Sequence, residues 1–400
     1  MSNPDNTQRY RDILHRLAQY GTLDDPEVAA RLSTGLDGFL ARWEREVLPF
    51  VAAGGAELRF VEGPYGRGKT HFLQALEISA QRAGFVTSRV ECGMQQKPFG
   101  SLQETYRAIA DNMSVGTAVR NGSGTGLGGI FSAITADQLT AFQNSARGNP
   151  AFRNLVLAYG KRAQTGSQRD EVTINLRALL HHDANRRVTF RELFDAAERL
   201  GVRLQRPIGK INKRNAAIWL RSLLALPRQL GFKGLVVLFD ETGADLSIQS
   251  GLVTLSQQRQ QLANLRNLVD QLATGGTPGC SVVYATTRDL VEIARQDYPA
   301  LSQRMERREE MNGFAVPSRN PRAIWCRLDE LTDPAPDVPE FYEELGKKLL
   351  SLAKDAGVAE SRLSAERAKA SDRAKKMSQN LAQAAVREFI KTVASNLIRN

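Results

Sequence analysis

Cysteine is scarce in this chain, with Cys92, Cys280 and Cys326 the only three in 400 residues. They lie far apart, no two have metal-knuckle spacing, and an odd number argues against a disulfide framework. Such thiols suit buried small side chains in a reducing compartment. Long apolar runs are missing as well. Nothing approaches the ~20 residues that span a bilayer, and the start, MSNPDNTQRYRDILHRL, has no apolar signal core. A cytoplasmic protein without membrane contact is expected. One stretch also lacks acids. From Arg203 to Lys233 there are eight basic residues and no Asp or Glu, in a chain of net charge +11. No zinc finger or other recognition module accompanies that charge. It reads either as a surface for a polyanion, DNA first of all, or as an ordinary solvated face.

The strongest positive signal is FVEGPYGRGKTHFLQAL, residues 60–76. Gly63, Gly68, Lys69 and Thr70 satisfy G-x-x-x-x-G-K-[ST] at every fixed position, between a predicted strand over 57–61 and a predicted helix over 71–84. Glycines let the backbone curl so that N–H groups point at phosphate, and the helix start adds its unpaired N–H groups. Gly63, Pro64, Tyr65, Gly66, Arg67, Gly68, Lys69, Thr70 and His71 are therefore the expected ATP contacts. Lys69 would reach the β- and γ-phosphates, and Thr70 would give its hydroxyl to Mg²⁺. The bland alternative is a glycine turn without a ligand.

The second half of such a site is Gly234-Leu-Val-Val-Leu-Phe-Asp240-Glu241. An unbroken apolar run ending in two acids reads as a central buried parallel strand whose carboxyl end carries the active groups. Asp240 would bind Mg²⁺, and Glu241 would polarise the attacking water. Ser281–Arg288 reads as a third strand ending in hydroxyls, where Thr286 or Thr287 would sense the γ-phosphate, or merely cap the strand. Arg304, in YPALSQRMERR, is the expected arginine finger for a neighbouring subunit; the alternative is a surface arginine cluster paired with nearby glutamates. Arg319 and Arg322 are weaker candidates for a second sensor.

Around these signals the chain divides into an N-terminal helical segment (1–50), an ATPase core (51–330) with a helical insertion at about 114–200, and a helical C-terminal region (331–400). Helices are expected over 7–20, 26–48, 102–113, 152–162 and 188–200, and over 215–230 with an interruption at Pro227. Strands are expected at 86–91 and within the segments above. Residues 114–129 are glycine-rich and read as a loop. The 331–341 stretch is a proline-rich connector, and 365–399 is amphipathic.

GLDGFLARWEREV, ELRFVEGPYGRGKTHFL, AGFVTSRVE, RPIGKINKRNAAIWLRSLL, LGFKGLVVLFDE and YPALSQR occur in order between about residues 34 and 304. Together they resemble the ATP-binding proteins of the BREX phage-defence systems, the BrxC/BrxD-type P-loop family, and its shorter BrxD kind most. The resemblance implies an α/β fold of AAA+ type, a P-loop ATPase with a parallel sheet, related to origin-recognition and helicase-loading proteins. It places the phosphate loop at Gly63, Gly66, Gly68, Lys69 and Thr70 and the acidic strand end at Asp240 and Glu241. The family's Thr-Pro after the third strand stands here as Thr287-Arg288. Two functions follow. One is an ATP-hydrolysing switch or loader acting on DNA or on a helicase or other defence partner, as a homo-oligomer. The other is an ATP-dependent scaffold or signalling protein with little turnover and no direct DNA contact.

Overall fold

A computed structural model describes residues 4–22, 25–64, 66–93, 97–116, 126–145, 148–166, 169–183, 185–241, 254–310, 324–335, 338–379 and 385–398. The chain opens with α1 (Pro4–Tyr20), α2 (Pro26–Leu32), α3 (Asp37–Arg42), a π-helical turn (Trp43–Val47) and α4 (Leu48–Ala52). Then come β1 (Ala56–Glu62), α5 (Lys69–Arg82), β2 (Val86–Cys92), α6 (Leu102–Asp111) and β3 (Met113–Val115). Five helices follow: α7 (Leu127–Ala133), α8 (Ala136–Ser145), α9 (Pro150–Gln164), α10 (Glu171–His181) and α11 (Phe190–Arg199). The chain returns to the sheet with α12 (Ala216–Gln229), β4 (Leu235–Glu241), α13 (Leu255–Ala273) and β5 (Cys280–Thr286). It ends with α14 (Arg288–Asp297), α15 (Pro299–Glu310), β6 (Trp325–Arg327), α16 (Leu328–Leu331), α17 (Pro339–Asp355), α18 (Glu360–Ala368), α19 (Ala370–Ser378) and α20 (Ala385–Ile398).

The six strands form one mixed α/β sheet in the order β3-β2-β4-β5-β1-β6, parallel throughout except for β3 on β2. Period-two alternation divides its residues between two cores. Leu235, Val237 and Phe239 of β4, with Val282 and Tyr284 of β5, join the core that takes in α6, α12 and α13. Val236 and Leu238, with Val283 and Ala285, face α5 and the segment from α3 to α4. Register lines up the carboxyl ends: Glu62 lies opposite Thr286, Asp240 opposite Ala285, and Glu91 opposite Asp240. A third core joins α1 and α2 to α17–α20 through Leu14, Leu17 and Leu32 against Tyr342, Leu349 and Phe389.

Several expectations need correction. The stretch 26–48 is not one helix. It breaks at Ser33–Leu36, where Gly35 holds φ 73 and a Cβ would lie 2.6 Å from the Pro334 carbonyl oxygen. The two segments approach closely there, and the Asp333 N–H donates to the Gly35 oxygen at 2.7 Å. Pro227 does not interrupt α12 but sits inside its last turns. The region 365–399, which reads from sequence as an amphipathic helix pair or one long helix, holds the end of α18 followed by the pair α19 and α20. The short edge strands β3 and β6 carry too few residues for alternation to reveal them. Of the glycine-rich 114–129, residues 117–125 lie outside the described residues.

Gly35→Ala should destabilise the protein by roughly 1–3 kcal/mol through its left-handed backbone alone, before any displacement of the Pro334 carbonyl. Urea unfolding followed by circular dichroism would measure it; an unchanged midpoint would refute the close approach.

Candidate functional site

The site begins where β1 leaves the sheet. Gly63 donates its N–H to the Thr286 carbonyl at 3.0 Å. A Cβ on Gly63 would stand 3.3 Å from Leu328 Cβ and 3.4 Å from Lys69 Cγ, so the bare backbone lets both pack closely. Gly66 and Gly68 take φ values of 78 and 91, which strain any side-chain-bearing residue. This left-handed pair turns the chain into α5, whose first N–H groups point back along the helix axis into the loop. Lys69 is buried, and its ammonium donates to the carbonyls of Gly63 (2.6 Å) and Pro64 (3.1 Å). Arg67 faces Asp329 of α16 across 3.9 Å. Thr70, exposed at the cavity surface, stands beside the Asp240 carboxylate and favours its ionised form.

Asp240 is buried at the end of β4, and burial holds its carboxyl above the usual range. The Thr70 hydroxyl and the charges of Arg89 and Lys69 pull the other way, while Glu91 adds to the rise; burial wins. Arg89 is itself held by Glu77 of α5 at 3.3 Å. A hydroxyl beside a desolvated carboxylate is a hard oxygen donor set. It fits Mg²⁺, which takes one or two protein ligands and completes its shell with phosphate and water oxygens. His71 is half-buried, and burial together with the charge of Lys348 pushes its pKa down to about 4, so the ring is neutral at pH 7.

One cavity holds this machinery. Gly66–His71 and Asp240 line it. The rest of its lining is largely apolar and is drawn from distant parts of the chain: Leu36 after α2, Leu328 of α16, Phe341 of α17 and Ile390 of α20. Arg387 of α20 also lines it. At the end of α1, Gly21 has φ 64, and a Cβ there would lie 2.6 Å from Arg387 Cγ, so glycine permits the approach of α20.

Of the residues expected from sequence, Gly66, Arg67, Gly68, Lys69, Thr70, His71 and Asp240 share this cavity, and Gly63 and Pro64 meet it through Lys69. Tyr65 lies outside the described residues, as do Arg319 and Arg322. The backbone of Glu241 ends β4 in register with Cys92, and its side chain lies outside the described residues. Thr286 is buried and donates to the Thr287 carbonyl at 3.2 Å. Thr287 precedes α14 and donates to Asp289 at 3.1 Å. Arg304 is not among the cavity residues. Its guanidinium bonds to Asp270 of α13 and to the Ala300 carbonyl at 2.7 Å. Arg387 has no signal of its own in the sequence, whereas Leu32 and Leu36, at helical spacing just before the first strand, are expected from sequence to pack beside the nucleotide pocket and do line it. The amphipathic pattern of 365–399 was visible, but nothing local singled out one arginine in it.

Among the described residues, no helix is long and apolar enough to cross a membrane. A family model described as "BREX system ATP-binding protein BrxC/D" matches residues 9–156 and 190–399. That description joins the two kinds and does not separate the shorter one. The match passes over 157–189, which holds the second half of α9 and all of α10. No curated protein and no solved structure matches the chain.

Lys69→Ala removes the ammonium seated against Gly63 and Pro64. ATP affinity should fall by roughly 10²-fold or more, since a charge-assisted phosphate contact in a partly desolvated loop is lost. Calorimetric titration of the folded variant with ATP and Mg²⁺ checks this, and an affinity equal to wild type would remove the loop as the nucleotide site.

Proposed function

This chain belongs to the family of BREX system ATP-binding proteins BrxC/D, and from that premise we propose that it is an AAA+-type ATPase of bacterial antiphage defence. In this reading it is a nucleotide-driven switch or loader that acts on DNA or a helicase partner. The observation that carries the reading is the meeting of Thr70 and Asp240 in one cavity. It joins the phosphate loop to the acidic strand end across a sheet in which β5 separates β1 from β4. That order supports the AAA+ assignment, because the intervening strand delivers Thr286 and Thr287 between loop and acid.

The phosphates lie against the N–H groups of the loop and the start of α5, and Lys69 contacts the β- and γ-oxygens. Thr70 and Asp240 hold Mg²⁺. When bound, the metal neutralises charge on the phosphate oxygens. Glu241 accepts a proton from the attacking water, and Thr287 orients that water. The apolar lining of the cavity, from Leu36 to Ile390, takes the adenine base. Arg387 of α20, which lines the same cavity, takes the second-sensor role expected of Arg319 or Arg322. Arg304 serves a neighbouring subunit in a homo-oligomer once it exchanges Asp270 for phosphate.

Glu241→Gln should leave ATP binding within about threefold of wild type and slow single-turnover hydrolysis by roughly 10²-fold or more. Wild type that binds ATP yet shows no turnover, alone or with DNA, would favour the scaffold reading instead. Arg387→Ala should lower the preference for ATP over ADP by roughly tenfold, because a cation near the γ-phosphate discriminates by charge. Equal preference in variant and wild type, read by competition binding, would remove Arg387 from the site.

A further inference from the structure

Of the eight basic residues, Arg221 on α12 and Lys233 beyond it are exposed singly, and the other six fall into two unlike parts. Arg228 is half-buried, and its guanidinium donates to the Ala52 carbonyl at 2.8 Å, which ties α12 to α4. That arginine is internal. Arg203, Arg206, Lys210, Lys213 and Arg214 are instead exposed, on the segment 201–215 between α11 and α12. Among the described residues no carboxylate lies within ion-pair distance of any of these five, whereas Arg199, just upstream, pairs with Glu171 at 2.6 Å.

This segment has no regular secondary structure, yet it is pinned at many points. Ile211 is buried in the main core. The Pro207 carbonyl accepts from Asn154 of α9 at 3.0 Å. A Cβ on Gly209 would lie 2.9 Å from Ala151 and 3.1 Å from Trp219. The Asn212 carboxamide accepts the N–H groups of Arg214 (2.9 Å) and Asn215 (3.1 Å), and Asn215 donates to the Lys210 carbonyl at 3.0 Å. The Arg206 guanidinium lies 4.1 Å from the Phe194 ring centre and the Lys210 ammonium 5.8 Å from that of Phe190. The cations are therefore held on an ordered backbone, which lowers the entropy lost on binding.

We propose that the 203–214 segment, seated on α11, is a docking surface for the sugar-phosphate backbone of duplex DNA. The proposal deepens the DNA-directed reading above and rests on it. Unneutralised, pre-ordered cations match a polyanion and release its counterions on contact. Duplex is favoured over single strand because single-strand sites offer open aromatic faces on which bases stack. Here the rings of Phe190 and Phe194 already carry Lys210 and Arg206. Residues 230–234 connect α12, at whose start the basic segment ends, to β4, which ends at Asp240 and Glu241.

The test compares three proteins in fluorescence anisotropy with labelled duplex and single-stranded DNA over a salt series. One carries Arg203→Gln, Lys213→Gln and Arg214→Gln. A control carries Lys354→Gln, Lys369→Gln and Lys375→Gln, the same loss of charge on exposed positions of the C-terminal helices and their connections. The third carries Arg203→Lys and Arg214→Lys. The neutralised segment should bind duplex at least roughly tenfold more weakly near 0.1 M salt, and its log–log salt slope should fall by about 2.7, roughly 0.9 per lost phosphate contact. The control and the lysine variant should stay within about threefold of wild type. Four results would each overturn the proposal: no salt-sensitive duplex binding by wild type, a preference for single strand, an equal loss in the control, or an equal loss in the lysine variant. ATP titration of the same proteins separates the two readings. Intact ATP binding and turnover without duplex binding sinks the docking surface alone, and duplex binding without ATP binding sinks the proposed ATPase alone.

Discussion

The contact between the Thr70 hydroxyl and the Asp240 carboxylate spans two segments that are remote in sequence, and much of the fold is arranged so that it can form. It requires the first turn of α5 to lie over the end of β4. Phe72, Leu73 and Leu76 bring that about by packing against Val236 and Leu238. It also requires strand register, because a slip of one residue would turn Asp240 to the opposite face. Energetics make the arrangement incomplete on its own. Desolvating a carboxylate costs several kcal/mol, while a hydrogen bond to a charged group contributes about 1.5–3 kcal/mol. The shortfall agrees with a carboxyl held above its usual range despite Thr70, Arg89 and Lys69. A divalent cation is the partner whose charge would close that gap.

The other wall of the cavity depends on the two ends of the chain. The helix α1 does not stand apart from the C-terminal region but shares a core with α17 and α20. Glycines permit two close approaches here: Gly21 inside this unit, where α20 comes against the end of α1, and Gly35, where the Pro334 carbonyl approaches. Lys348 of α17 adds a polar tie by donating to the Ser33 carbonyl. Contacts to the apolar lining of the cavity thus fall on both chain ends together. An occupant there would touch α17 and α20 as well as the stretch after α2.

How much of this was legible in the sequence follows from how local each feature is. The strand, glycine loop and helix of residues 56–82 are contiguous, and each carries its own pattern, so the motif and its elements coincide. The apolar run of β4 is equally local, and its burial between β2 and β5 agrees with its lack of alternation. Sheet order is not local. Nothing in 280–287 alone states that β5 lies between β1 and β4. The helix expected over 26–48 has a continuous apolar period, yet Gly35 and the neighbouring connector override it. Pro227 breaks a helix only where its missing N–H or its ring meets an essential turn, and near a helix end the cost is small. Arg387 was illegible because only the meeting of α20 with Gly21 gives it a place.

The contrast between Arg228 and the 203–214 cations shows why a charge run cannot be read from composition alone. Arg228 supports the fold from within, through a backbone carbonyl. The exposed cations contribute little to it, since an exposed ion pair adds only about 0–1 kcal/mol. Leaving them without acidic partners therefore costs little stability. The same choice matters far more between molecules, where each phosphate neutralised adds roughly 0.9 to the salt exponent of association. Effects that are nearly invisible in folding multiply in binding. Aromatic rings under Arg206 and Lys210 fit this division, because they anchor the segment without neutralising it. A segment ordered by asparagine turns and ring contacts, and not by carboxylates, keeps its whole charge for what lies outside the chain.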